Sequence, residues 1–213
     1  MAITAQDIAS LRAQTGAGML DCKKALDEAA GDMQKAIEIL RTKGIAKAAK
    51  RAGKIAAEGV VASYIHGQGR IGVLVEVNCE TDFVAKTDGF KKLVDDISMH
   101  IAAAAPLYVS REEVPSDLVE KEKHIYAEQL KQEGKPEAMI ENIVNGKINK
   151  FFSEVCLLEQ PYIKQEDMTI EQLLTTKTAE IGEKITVRRF ARYALGEGIE
   201  KQVSNLAAEV EAQ

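Results

Sequence analysis

Three features of the 213-residue sequence point to an α+β fold. Apolar residues recur three and four apart through most of the chain, the mark of amphipathic helices. Residues 60–79 and 184–195 instead alternate with period two, the mark of half-buried strands. The two kinds of segment do not follow one another as regular βαβ units, which argues against a doubly wound parallel sheet. The expected architecture begins with a small N-terminal three-helix domain at 1–44 and a basic helical linker at 45–58. A core of helices and mixed antiparallel sheet follows over 59–198, carrying a long helical hairpin at 116–158, and a C-terminal helical module closes the chain at 199–213.

Composition narrows the function classes. Apolar residues make up 46% of the chain and charged residues 29%, which fits a globular protein and excludes collagen-like, low-complexity and disulfide-knot classes. Aromatics are few, with five Tyr, five Phe and no Trp, so the core must rest on Ala, Ile, Leu and Val. No apolar run approaches the ~18 residues of a membrane span. The opening MAITAQDIAS lacks the basic and apolar regions of a signal peptide. A cytoplasmic protein with no membrane partner is expected. Cys22, Cys79 and Cys156 are widely spaced, without C-x-x-C, and read as reduced thiols. His66, His100 and His124 show no ligand spacing, so no metal site is expected.

The elements follow in order. Thr4 with Asp7 resembles an N-cap arrangement for a first helix through Ile8 and Leu11. Gly16 and Gly18 punctuate the turn to a second helix, whose Met19, Cys22, Leu26 and Ala29 keep helical spacing until Gly31. Met19 and Leu20 are adjacent and cannot both face one small core, so one of them should be exposed. Asp32 can cap a third helix, with Met33, Ala36, Ile37 and Leu40 as its stripe and Gly44 at its end. Residues 41–54 carry six basic side chains and no acidic one, inside a chain of net charge −5. That run reads as a solvated linker, or alternatively as an RNA-binding segment, although no aromatic is interleaved to stack on a base.

Val60 to Ile65 and Ile71 to Val77 make a β-hairpin about HGQG. Gly67, Gly69 and Gly72 spell G-x-G-x-x-G, but they lie between two strands and open no helix, so a dinucleotide site is rejected. CETDFVAKTDGF is expected to be a loop leading into a helix with Phe90, Leu93, Val94, Ile97 and Ile101 on one face. In it, Phe83 either packs beneath its own helix or projects as an anchor into another protein. A short strand is expected at Leu107–Val109. Two amphipathic helices, 116–133 and 136–158, meet at Gly134-Lys135-Pro136 as an antiparallel hairpin that either covers the sheet or protrudes from it. A short helix at Ile170–Thr176 precedes a strand in which Ile185, Val187, Ala191, Tyr193 and Leu195 alternate. Arg189 falls on that same face, against the pattern. No catalytic constellation is visible, and no enzymatic activity is expected.

TGAGMLDCKKAL (15–26), KAAKRAG (47–53), VEVNCETDFVAK (75–86) and IGEKITVRRFARYALGEGIEK (181–201) resemble the bacterial elongation factor Ts family, over nearly the whole chain. The resemblance implies a guanine nucleotide exchange factor that binds elongation factor Tu–GDP and promotes GDP release with displacement of magnesium. GDP, GTP and magnesium then belong to the partner GTPase, the factor has no cofactor of its own, and no nucleic acid is bound directly. It implies that the three-helix domain is of the ubiquitin-associated type. It implies that Asp82 and Phe83, flanked by Thr81 and Val84, intrude on the GTPase near its magnesium. Arg12, Met19 and Leu20 touch its nucleotide domain, and His66, Ile181 and Gly182 meet it elsewhere. The helix at 199–211 matches a C-terminal module that docks on the same domain. Longer members carry a duplicated core, whereas the Y-x-H-x-x-x-R-I-G-V-L-V pattern occurs here once, at 64–75. A homodimer through the core sheet is therefore expected, with open sheet edges as its physical motive.

Overall fold

The computed structural model describes residues 3–199. The C-terminal helical module expected at 199–213 lies, beyond Ile199, outside the described residues.

Helix α1 (Ala5–Thr15) starts at a reciprocal capping box. The Thr4 N–H donates to Asp7 Oδ2 at 2.9 Å and the Asp7 N–H donates to Thr4 Oγ1 at 3.2 Å. Helices α2 (Met19–Glu28) and α3 (Met33–Arg51) follow, the latter capped by Asp32, which accepts from the Lys35 N–H. Leu11, Cys22, Ala25, Leu26, Ala36 and Leu40 close a core among the three helices. Each buried Leu contributes about 1.5–3 kcal/mol, so so few large side chains leave a thin margin.

Helix α3 does not stop at Gly44. It continues to Arg51 and absorbs the first half of the expected linker, because Ala and Lys sustain a helix and one glycine costs only about 1 kcal/mol. Gly44 is a contact point: a Cβ there would lie 3.3 Å from Ala179 Cβ on a later helix, α8 (Ile170–Ile181). The missing side chain lets α3 pack against α8 and carries the N-terminal helices up to the core.

Strands β1 (Glu58–His66), β2 (Ile71–Cys79) and β5 (Thr186–Ala194) form one antiparallel sheet in the order β1-β2-β5. Val73, Val75 and Val77 of the central strand are buried against Phe90, Leu93, Val94, Ile97 and Ile101 of α5 (Asp88–Ala104). Ile170, Leu174, Ile185 and Val187 complete that core. The glycine motif at 67–72 serves the hairpin turn and the start of β2, as expected.

The alternation expected through β5 breaks. Glu76 pairs with Arg189 but Val77 with Val187, so Arg188 is an extra residue in the strand. This bulge reverses which side chains face inward. Ile185 and Val187 are buried as expected, but Tyr193 and Leu195 lie on the outer face, and Arg189 projects outward with Arg188. Both arginines donate to Glu76, at 2.9 Å and 2.7 Å. First the hydrogen bond from Arg188 and then that from Arg189 hold the Glu76 carboxyl down at about 2.

Helices α6 (Ser116–Gln132) and α7 (Glu137–Val155) protrude. Their Leu130, Ile140, Val144 and Ile148 form a cluster separate from the main core. The hairpin is secured at its base, where Arg111 lies over the Phe152 ring and donates to Glu159 and Asn149. The short strand expected at Leu107–Val109 is only a single bridge, Tyr108 to Cys156. The Leu107 and Tyr108 N–H groups both donate to Val155 O instead of to a ladder. A two-stranded sheet not expected from the sequence, β3 (Pro161–Tyr162) with β4 (Gln165–Thr169), precedes α8, which runs to Ile181 rather than stopping at Thr176. Buried His100 ties α5 to this sheet: the Ile163 N–H donates to its Nδ1, leaving Nε2–H to reach Gln160 Oε1 at 3.0 Å. Among the described residues no helix is long and apolar enough to cross a membrane.

Candidate partner-binding site

The chain leaves β2 at Cys79 and turns through Glu80 and Thr81 into a single helical turn, α4 (Asp82–Ala85), which sequence periodicity is too short to reveal. Thr81 is extended and its Oγ1 accepts from the Val84 N–H. Thr87 caps α5 from the other side and donates to Val84 O at 2.8 Å. Two threonine hydroxyls thus bracket the turn. Within it Ala85 is buried and Val84 packs on the main core, so the 100° advance per residue throws Phe83 outward. Phe83 is 79% exposed. It does not pack beneath its own helix.

Asp82 lies beside it and accepts from Lys86 Nζ at 2.6 Å. That hydrogen bond holds the Asp82 carboxyl below the usual aspartate range and raises the Lys86 ammonium. Cys79 beneath the turn donates from Sγ to Thr81 O, and burial raises its thiol, so it stays protonated as a packing group.

The loop after α8 grips this turn. The Thr81 N–H donates to Glu183 Oε2 at 3.0 Å and the Thr81 hydroxyl donates to Glu183 Oε1 at 2.7 Å. In the reverse sense, Glu80 accepts from the Lys184 N–H at 2.7 Å and from the Arg51 guanidinium at 2.9 and 3.1 Å. The Lys184 N–H, ahead of the Arg51 charge, holds the Glu80 carboxyl low. Lys184 Nζ closes the junction by donating to Ala52 O and Lys54 O at the end of α3. None of Glu80, Glu183 and Lys184 is singled out by the sequence, because the Thr81–Glu183 and Glu80–Lys184 pairs join segments about a hundred residues apart and follow no local period, and Arg51 is read there only as part of the basic run.

The structure brings Thr81, Asp82, Phe83 and Val84 together on one turn and places Ile181 and Gly182 beside them, just before Glu183. Ile181 is half-buried on the core, and Gly182 ends α8 at φ +84°, donating to Thr178 O. Arg12, Met19 and Leu20 lie on the N-terminal helices. Both Met19 and Leu20 are exposed, not one of them, because α2 is covered only from Cys22 onward. His66 stands apart: it pairs with Ile71 while Glu58 pairs with Cys79, so β1 holds it about 25 Å from the Phe83 end of the sheet.

Three of the six basic side chains at 41–54 are engaged by carboxylates of the same chain. Lys43 pairs with Glu28, Lys47 with Asp21 at 2.6 Å, and Arg51 with Glu80. The RNA-binding alternative therefore gains no support.

The sequence profile of the family described as Elongation factor TS matches residues 2–197. The chain is similar to elongation factor Ts of Carboxydothermus hydrogenoformans, 62% identical over 99% of this chain and 97% of the relative. It is similar to that of Citrifermentans bemidjiense, 60% identical over 100% and 98%, and to that of Desulforamulus reducens, 62% identical over 99% and 97%.

Proposed function

The chain belongs to the elongation factor Ts family, and on that premise we propose that it binds elongation factor Tu–GDP and loosens the nucleotide by inserting Phe83 near the partner's magnesium. The family implies nucleotide exchange on elongation factor Tu during translation elongation, a task carried out in the cytoplasm by binding and without making or breaking a bond. The observation that carries the insertion step is a large ring standing almost bare on a turn braced from both sides. Burying such a ring in a partner yields about 1.5–3 kcal/mol, enough to act as an interface anchor.

Exchange is a coupling between two binding events. If the factor weakens GDP binding, GDP with magnesium weakens the factor by the same free energy. Magnesium neutralises the phosphates, so disturbing its surroundings removes much of the nucleotide's hold. Asp82, already paired with Lys86, would bring a carboxylate alongside the wedge. Arg12, Met19 and Leu20, with Ile181 and Gly182, would grip the GTPase around it, and His66 would reach it at a separate patch.

A second copy of the chain would cover the outer face of the sheet. Val61, Ile65, Leu74, Tyr193 and Leu195 are exposed there, and Ile65, Gly72 and Tyr193 form one cross-strand row. An apolar face of this extent is a stronger motive for pairing than the open edges.

The exchange function is tested by mixing the protein with elongation factor Tu loaded with a fluorescent GDP. Release faster than the spontaneous rate, with a complex that dissociates on adding GDP and magnesium, supports it. Release at the spontaneous rate, or a complex indifferent to GDP, refutes it.

A further inference from the structure

We infer that Glu183 is a positioning residue for Phe83, acting through Thr81. This role presupposes the exchange function proposed above and names the group that aims its wedge.

A four-residue helix has no stability of its own, since nucleation fixes several dihedrals for a single hydrogen bond. Exposed Phe83 adds no packing to hold it. Val84 and Ala85 on the core and the Thr87 hydroxyl hold the turn's far end, and the residues at its start hold the end that carries Phe83. Thr81 is fixed there by one carboxylate that takes both of its donors, at 3.0 Å and 2.7 Å. The Thr81 hydroxyl hydrogen goes to Glu183, which leaves an oxygen lone pair to accept from the Val84 N–H. The result is a continuous chain from Val84 N–H through the threonine hydroxyl to Glu183, in which each bond polarises the next. Glu80 and the Lys184 N–H make the reciprocal bond, so the two segments cannot slide past each other without losing both carboxylate contacts. Charge-assisted bonds of this kind are about twice as strong as neutral ones. Because Glu183 follows Ile181 and Gly182 directly, the grip and the wedge are referenced to one loop.

Removing the carboxylate should leave the partner's contact surface in place while the ring loses its aim, lowering the maximal GDP release rate by roughly tenfold with little change in affinity for the GTPase. The test is a double-mutant cycle with Phe83→Ala, joined to a direct measure of ring mobility. The protein contains no tryptophan, so Phe83→Trp places a single fluorescent reporter at the tip. In that background Glu183→Ala should increase fast local depolarisation in the free protein, and Glu183→Gln, which keeps the side chain's size and one acceptor, should fall between. In the release assay Glu183→Ala should slow the parent but add nothing in the Phe83→Ala background. Unchanged depolarisation, unchanged release, or a slowing that persists undiminished without the Phe83 ring would overturn the role of Glu183. If Phe83→Ala releases GDP like the parent, the wedge itself has failed, whatever Glu183 does to mobility. Circular dichroism of each variant checks folding, and Glu183→Gln carries the comparison if Glu183→Ala does not fold.

Discussion

Phe83 and Phe90 lie seven residues apart on consecutive helices, one 79% exposed and the other fully buried. Phe90 fills the core beneath the central strand, where losing it would leave a cavity. Phe83 contributes nothing comparable to its own fold, and a protein gains no stability by displaying such a ring. The contrast separates the scaffold from the group it presents: α5 is anchored by Phe90, Leu93 and Ile97, and the short turn ahead of it is left to carry Phe83.

The Glu76 carboxyl makes the acid limb of stability predictable. Its pKa is held at about 2, against 4.5 without partners, by Arg188 and then Arg189. A depressed carboxylate pKa gives stability that is present above the unfolded value and lost as pH falls through the folded one. Glu76→Gln should therefore be less stable than the parent at pH 7, and the gap should close between about pH 4.5 and 2. Urea midpoints of both proteins across that range measure it. A gap independent of pH would mean that the charge on Glu76 is not what ties the bulge.

Gly59 should tolerate no side chain. Its φ of +139° favours glycine, and a Cβ would lie 2.1 Å from Val77 O on the neighbouring strand. Gly59→Ala is expected to cost about 2–4 kcal/mol by combined backbone strain and displacement of β1. The measurement is the denaturation midpoint, and an unshifted midpoint would contradict the close approach of the strands.

The outer sheet face gives a separate test of assembly. Leu74 is exposed at its centre, between Ser63 and Ala191, so Leu74→Lys should not disturb the monomer's fold. Light scattering should find the parent as a dimer and the variant as a monomer, since each dimer would bury two unpaired ammonium groups. A variant that keeps the parent's mass would place pairing elsewhere or nowhere.

Much of the architecture was legible because its signals are local. The Thr4–Asp7 cap, the stripe through Cys22 and Leu26, the alternation of Val73, Val75 and Val77, and the α5 face each repeat within a few residues. What escaped depended on partners far along the chain. The extra residue at Arg188 reverses the alternation of β5, and only Glu76 on the adjacent strand shows why. Gly44 resembles a helix stop until Ala179 is brought against it. Phe83 was identified by resemblance and by residue type, but its exposure could not be read from a turn too short for any period. Glu183 reaches Thr81 across 102 residues, and no spacing rule connects them.

The exchange account is tested most directly by stopped-flow release of fluorescent GDP from elongation factor Tu, comparing parent and Phe83→Ala across factor concentration. Because the ring is exposed, the variant should fold like the parent; losing the anchor weakens binding, but the saturating release rate, read at concentrations that offset that loss, should itself fall by about tenfold or more. A saturating rate equal to the parent's would show that Phe83 does not open the partner's nucleotide site.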